Sequence, residues 1–387
     1  MKLGTVATMP ETLILDGSSI RSGGQVTRIR AFLQRFRAYD PASRVIVLEE
    51  DGAVSRLVPG RDDLEFIDRP GSGVARAARR ALWQNLALPQ LCRRYGGKVY
   101  LHFSHYLPYG LPGAMRTIVG VANLQPFSRE GRAAEVRFDK RLRLAVLERT
   151  ILSSVRRAEH VIALSRTCKD VLVARGVDGA KIVVIPNGVE EPAAATDFAV
   201  DVVLDELAIP GEYVLYVSHF YRYKNFERLV RAYSRLPSVL QDRYALVLVG
   251  IPHHREYWDH VRATVSELRL ESRVIMIPGL DGSALSALYR RCSVFVFPSL
   301  IENCPNILLE AMAHGASVVT GNIAPMPEFG GDAAIYFDPL DEASIASSLE
   351  KVLGDASLRQ RMARSGRERA LGYSWDTFTR SVVDLYL

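Results

Sequence analysis

Short apolar runs alternate with longer amphipathic stretches along the whole chain, the rhythm of strand–helix–strand units around parallel sheets. In the first half the runs predict strands at Thr12–Leu15, Val45–Leu48, Val99–Phe103, Thr117–Val121, His160–Leu164 and Ile182–Ile185. In the second half they predict strands at Tyr213–Val217, Ala245–Val249, Val274–Ile277, Val294–Phe297 and Ser317–Thr320. Apolar positions three or four apart predict helices between them, such as Phe226–Leu236 and Ser283–Cys292. The stretch Glu191–Val202, EPAAATDFAVDV, interrupts this rhythm with small residues and proline and is expected to be a linker. It divides the chain into two α/β domains, residues 1–192 and 200–371. Helical spacing returns in the last segment, at Trp375, Phe378, Val382 and Leu385.

Composition narrows the class without naming it. The 387 residues are 48% apolar and 24% charged, which excludes a disordered, collagen-like or disulfide-stapled chain. Cys92, Cys168, Cys292 and Cys304 stand far apart, with no CxxC pair and no histidine at metal-ligand spacing, so reduced thiols and no structural zinc are expected. No charged segment leads into an apolar one at the N-terminus, and no apolar run reaches the roughly 18 residues of a membrane span. A soluble protein, or one lying on a membrane surface, is expected. The net charge of +6 is lopsided: residues 1–195 hold 30 basic and 19 acidic residues, a balance of +11, and the remainder balances at −5. Arg76/Arg79/Arg80, Arg93/Arg94 and Arg137–Arg143 alternate with Leu, Trp and Ala, a pattern suited either to an anionic membrane surface or to an ordinary solvated helix face. No nucleic-acid recognition motif accompanies the charge.

Four stretches carry candidate chemistry. PSLIENCPNILLEAMAHG, residues 298–315, follows a buried strand and enters a helix at Pro305, leaving the amides of Asn306 and Ile307 free at a positive dipole end that suits a phosphate. Glu302 and Glu310 bracket that anion site, as hydroxyl-binding carboxylates or as solvated surface charges. YVLYVSHFYRYKNFERL, residues 213–229, runs from a strand through His219, Arg222 and Lys224 into a helix, cations that can hold a diphosphate beyond a strand's carboxyl end. Asp16–Arg28 contains Gly23-Gly24 after the first strand, a tight turn or a close approach of backbone to ligand. His102, His105 and the ANLQP segment around Asn123 follow first-domain strands on the same carboxyl edge; for each histidine a structural role competes with a catalytic one.

With these stretches in order, the chain resembles a glycosyltransferase of family 4, with the GT-B fold. The resemblance rests on SGG at 22–24, LSRTCKDVL at 164–172, KIVVIPNGVE at 181–190, YVSHFYRYKN at 216–225, PSLIENCPNILLEAMAHGASVV at 298–319 and MPEFGGDAAIYFDP at 326–339. It implies two Rossmann-like domains, acceptor-binding first and nucleotide-sugar-binding second, and a terminal helix, residues 372–387, that crosses back to the first. Glu302 and Glu310 would be the two glutamates of the family's E-x7-E motif, the first beside the donor sugar and the second on the ribose. Lys224 would hold the diphosphate, Asn303, Cys304, Pro305 and Asn306 would wrap the sugar and phosphates, and Gly23 and Gly24 would approach the diphosphate from the other domain.

Two positions depart from the family pattern. Ser218-His219 stands where Gly-Arg is common, so either His219 or Arg222 is the substitute phosphate ligand. Asn123 stands where many members have a histidine beside the acceptor. What the resemblance implies is a retaining, metal-independent hexosyltransferase, with no cofactor beyond its nucleotide-sugar donor. Its acceptor would be a glycan or lipid-linked intermediate of a bacterial surface polysaccharide or O-antigen. The setting would be the cytoplasm, peripheral on the inner face of the cytoplasmic membrane. The competing reading is a glycosyltransferase-like partner subunit without activity. Signals for an epimerase or a pyridoxal-phosphate phosphorylase are missing.

Overall fold

The apolar runs of the sequence become strands of two parallel sheets, whose strands bury side chains on both faces and so lose the alternation of a half-exposed strand. The computed structural model describes residues 11–20, 23–69, 76–133, 138–193, 196–209 and 211–387. Its chain separates into two units, one made of residues up to Asn123, Ala145–Gly188 and Trp375–Leu387, the other of Leu124–Leu144 and Val189–Ser374.

The first unit holds β1 (Thr12–Asp16), β2 (Arg44–Glu50), β3 (Leu64–Arg69), β4 (Val99–His102), β5 (Arg116–Val121), β6 (His160–Ala163) and β7 (Ile182–Val184), in the order β3-β2-β1-β4-β5-β6-β7. The second holds β8 (Glu212–Val217), β9 (Tyr244–Val249), β10 (Val274–Ile277), β11 (Val294–Phe297), β12 (Val318–Gly321) and β13 (Ala334–Phe337), in the order β10-β9-β8-β11-β12-β13. Both sheets therefore reverse direction beside their first strand, the arrangement that opens a crevice at the carboxyl ends of the flanking strands. Two edge strands, β3 and β13, were not expected as strands. Leu64–Arg69 reads LEFIDR, its apolar Leu64, Phe66 and Ile67 broken by Glu65 and followed by Asp68, and an edge strand needs no continuous apolar run.

The expected linker is shorter than predicted. A helix, Asp197–Glu206, occupies the second half of that stretch, with the Thr196 hydroxyl accepting the Ala199 N–H at 3.2 Å. Val200 and Leu204, one turn apart, are buried in the second unit's core. Residues 124–144, assigned from the sequence to the N-terminal domain, group with the second unit. The contact is close: a Cβ on Gly131 would lie 2.5 Å from Ile301 Cδ1 and 2.8 Å from the Gln125 carbonyl oxygen.

The terminal helix, Trp375–Val383, packs within the first unit. Phe378 meets Phe103 at 5.7 Å between ring centroids, and the Tyr386 hydroxyl donates to Asp40 Oδ2 at 2.9 Å. Trp375, Phe378 and Val382 are buried as their spacing predicts; past the helix end Tyr386 takes the core position in place of Leu385. No helix among the described residues is long and apolar enough to cross a membrane.

Candidate donor site in the second unit

The second sheet reverses between β8 and β11, and the loops that leave these two strands carry the charged residues singled out above. The two loops are tied together by backbone: the Leu300 N–H donates to the Tyr223 carbonyl at 2.8 Å. Asn225 adds a second tie. Its Nδ2 donates to the Pro298 carbonyl at 3.1 Å and to the Pro339 carbonyl at 2.7 Å, while its Oδ1 accepts from Arg228 at 2.6 Å. This buried asparagine has left-handed backbone, φ 64° and ψ 30°, which few side chains other than Asn and Asp tolerate. It joins the loops after β8, β11 and β13.

Lys224, immediately before Asn225, closes a single 3₁₀ turn, Arg222–Lys224, whose last carbonyl accepts the Tyr216 hydroxyl at 2.7 Å. Its Nζ lies 2.5 Å from Glu302 Oε1, and only about a tenth of either side chain is exposed (10% and 13%). The same ammonium sits 5.2 Å from the centre of the Tyr223 ring, a cation–π contact that shields it further from water. The two candidate catalytic residues are thus one ion pair at the switch point. Beside them, the Ser218 hydroxyl and His219 Nδ1 are buried polar atoms with no hydrogen-bond partner, an arrangement that costs stability unless a ligand completes it.

Past Glu302 the loop runs through buried Asn303 and Pro305 and half-buried Cys304 into the helix Asn306–Ala313. Proline at the N-cap fits, since that position has no need of an N–H donor. The Asn306 N–H donates to the Cys304 carbonyl at 2.9 Å, because the chain turns tightly at Pro305, with φ −79° and ψ 75°. Of the two amides predicted to be free, only that of Ile307 makes no backbone hydrogen bond. Glu310, one turn along the helix, is deeply desolvated, which raises its pKa, an effect partly offset by the neighbouring Tyr289 hydroxyl. A solvated surface charge would show no such shift.

His219 and Arg222 have different surroundings. Burial, then His253 with its ring 4.7 Å away, then Lys224 push the His219 pKa down to about 4, so its imidazole is neutral at pH 7. The exposed Arg222 places its guanidinium 5.3 Å from the centre of the Tyr257 ring. Neither is a second buried cation beside Lys224.

In the first unit, Gly23 takes φ 68° and ψ −152°, a region essentially confined to glycine, and its carbonyl accepts the Val26 N–H at 3.0 Å as the helix Gly24–Arg35 begins. A Cβ there would meet nothing within 4 Å, so backbone conformation and not crowding requires the glycine. Ser22 lies outside the described residues. His102 is structural: the Tyr106 N–H donates to its Nδ1 at 3.1 Å, leaving Nε2 to donate to Ser19 Oγ at 3.1 Å. The motif at 181–190 is anchored by buried Arg28, which donates to Asn187 Oδ1 at 2.7 Å and to the Phe103 carbonyl at 3.0 Å. Asn123 follows β5 at the end of this unit, half-buried. Arg137 and the side chains of Arg76, Arg79 and Arg80 lie outside the described residues.

Two open parallel sheets, each reversing beside its first strand, define an α/β protein of the GT-B type. The family model described as Glycosyltransferase Family 4 matches residues 22–191, and that described as Glycosyl transferases group 1 matches residues 206–369. The chain belongs to the family-4 type of GT-B glycosyltransferases. It is 29% identical over 237 residues to the serotype-specific mannosyltransferase WbdA of Escherichia coli, a match covering 60% of this chain and 29% of WbdA. It is 32% identical over 182 residues to the O-antigen chain mannosyltransferase B of Escherichia coli, 47% of each chain. The matched stretches thus cover under half of either relative. Among solved structures, HepE of Anabaena in complex with UDP and glucose superposes with a TM-score of 0.75 at 17% identity, over 97% of this chain and 99% of HepE. WaaG, a glycosyltransferase involved in lipopolysaccharide biosynthesis, matches with the same TM-score, identity and coverage. At that identity the likeness is one of fold.

Proposed function

We propose that this protein transfers a hexose, mannose first among those to test, from a nucleoside diphosphate sugar to a hydroxyl of a bacterial surface polysaccharide or O-antigen intermediate. The observation that carries the reading is the buried Lys224–Glu302 pair at the switch point, next to the unpartnered polar atoms of Ser218 and His219. Mannosyltransferase relatives support the sugar, and their O-antigen names support the acceptor. Lys224 would neutralise the departing diphosphate, with the Ile307 amide and a neutral N–H of His219 as further donors. Glu302 would pass from Lys224 to the sugar hydroxyls, and Glu310 would hold the ribose. Transfer would occur on the face the diphosphate leaves: the acceptor oxygen bonds to the anomeric carbon as the carbon–phosphate-oxygen bond breaks, and a phosphate oxygen takes the acceptor proton. Such a step retains the anomeric configuration and needs no metal.

The test is incubation with GDP- and UDP-hexoses and a lipid-linked or short glycan acceptor, with and without EDTA, and proton NMR of the product's anomeric coupling. A retained product unaffected by EDTA is expected, and Lys224→Met should lower kcat about 10²–10³-fold, the cost of one transition-state donor. An inverted product, a need for metal or the absence of any transfer would each refute the corresponding part. Two helices support a membrane role. Arg76–Arg94 exposes Leu82 and Leu86, 61% and 64% accessible, near exposed Arg93 and Arg94. Phe138–Arg157 exposes Phe138, Leu142 and Val146, one turn apart, among Arg141, Arg143 and Arg149. Apolar stripes edged by arginine suit the surface of an anionic bilayer. Equal binding to neutral and anionic vesicles would sink that part.

A further inference from the structure

Behind Glu310 lies a group of side chains of which only His314 belongs to a family motif. Tyr289, on the helix Gly282–Arg291, is 2% exposed, and its hydroxyl is buried with no hydrogen-bond partner. The Glu310 carboxyl is its charged neighbour, near enough for each group to shift the other's pKa, yet outside hydrogen-bond geometry. The Tyr289 ring is fixed on both sides, 5.7 Å from Phe295 and 5.2 Å from His314. His314 is itself fixed. Its Nδ1 donates to the Glu310 carbonyl at 2.8 Å, which leaves Nε2 to accept the Ser286 hydroxyl at 2.9 Å. Burial lowers the His314 pKa, in keeping with that neutral tautomer. Ser286, Tyr289 and His314 thus brace one helix against the other where Glu310 projects.

A tyrosine needs no hydroxyl to fill such an aromatic slot; phenylalanine would pack as well and would bury no unpaired donor. An unpaired hydroxyl beside a desolvated carboxylate makes sense if its partner forms when the site is filled. A ribose diol takes the outward lone pairs of Glu310 and fixes the carboxylate; an oxygen turned inward then accepts from Tyr289.

We propose that Tyr289 is the positioning residue for Glu310, completing its hydrogen bond only when a nucleotide ribose is bound. The proposal rests on the reading of Glu310 as the ribose ligand. It gives the hydroxyl opposite effects in the two states: a cost in the empty protein and a gain in the complex.

The experiment uses the full chain with GDP and UDP, each beside its 2′,3′-dideoxy analogue, titrated calorimetrically against wild type, Tyr289→Phe and Glu310→Gln, with melting temperatures of the empty proteins. Wild type is expected to prefer the ribose form at least tenfold, and Glu310→Gln to lose that preference. Tyr289→Phe is expected to melt no lower than wild type when empty, yet to bind the ribose form five- to tenfold more weakly and the dideoxy form unchanged. A preference equal to wild type in Tyr289→Phe overturns the proposal. So does equal weakening for both forms with a lowered melting temperature, the mark of a packing role. If wild type itself does not distinguish the two forms, the ribose reading of Glu310 fails first and takes the proposal with it.

Discussion

Asn225 offers the most quantitative test of how the site is held. Replacing this residue, only 4% exposed, by alanine leaves the carbonyls of buried Pro298 and Pro339 without their shared donor. Each lost bond is worth about 1 kcal/mol net, and more where the orphaned carbonyl stays dry. Alanine must also hold φ near 64°, which costs an L-residue about 1 kcal/mol beyond what asparagine already bears. The sum is about 3–4 kcal/mol. Glycine removes the left-handed strain, so Asn225→Gly should lose about 1 kcal/mol less, although a freer unfolded chain returns part of that difference. Aspartate tolerates the backbone and keeps the Arg228 contact, yet turns two donors into acceptors facing carbonyl oxygens; it should fall with alanine or below it. Urea unfolding followed by circular dichroism measures the series. Because Lys224 is the preceding residue, nucleotide affinity should fall in parallel. The reasoning is refuted if Asn225→Ala costs under about 1 kcal/mol, or if Asn225→Gly is the less stable of the two.

Two further outcomes follow from the charges. In Glu302→Gln, the Lys224 ammonium no longer shares itself with a carboxylate, so a nucleoside diphosphate without sugar should bind about 5–10-fold more tightly while transfer falls 10²-fold or more; calorimetry beside a transfer assay decides, and weaker binding would count against the pairing. His219, with its folded pKa about 4 against 6.5 in the unfolded chain, binds its proton later in the native state, so stability should fall as pH drops from 6.5 towards 4 and level off below. The group is partly solvated, so its share is about 1.5 kcal/mol, and it should be missing from the melting-temperature profile of His219→Asn.

What the sequence disclosed and what it hid divide along physical lines. Long buried strands such as Tyr244–Val249 announce themselves as apolar runs, and the charged loops after β8 and β11 stand out because each follows such a run. Leu64–Arg69 did not, since an edge strand shares its pairing with a single neighbour and tolerates Glu65 and Asp68. The amide of Asn306 looked available because a helix start leaves its first amides without intrahelical partners; that Cys304 would turn back on it depends on the ψ of Pro305, 75°, which no residue pattern reveals. The grouping of residues 124–144 with the second unit was hidden for a similar reason. Only the fold shows Ile301 resting where a side chain on Gly131 would be. Tyr289 was invisible as a site residue because an apolar helix face is the ordinary place for an aromatic ring.

The charges around Lys224 nearly cancel, and that bears on how the site selects its ligand. Lys224 is matched by Glu302, His219 is uncharged, and the Arg222 guanidinium stands over Tyr257 in an exposed position. A nucleoside diphosphate arriving alone brings at least two negative charges to a lysine already engaged by a carboxylate, so Coulomb attraction alone favours it little. A nucleoside diphosphate sugar changes the balance, because its hydroxyls can take Glu302 by hydrogen bonds while its phosphates take Lys224. The pair then separates without stranding either charge in a buried setting, which is otherwise costly. Under the proposed function the ion pair would favour the intact donor over the spent one. It would speed release of the diphosphate after transfer: once the sugar has left, Glu302 returns to Lys224 and competes with the phosphates for it.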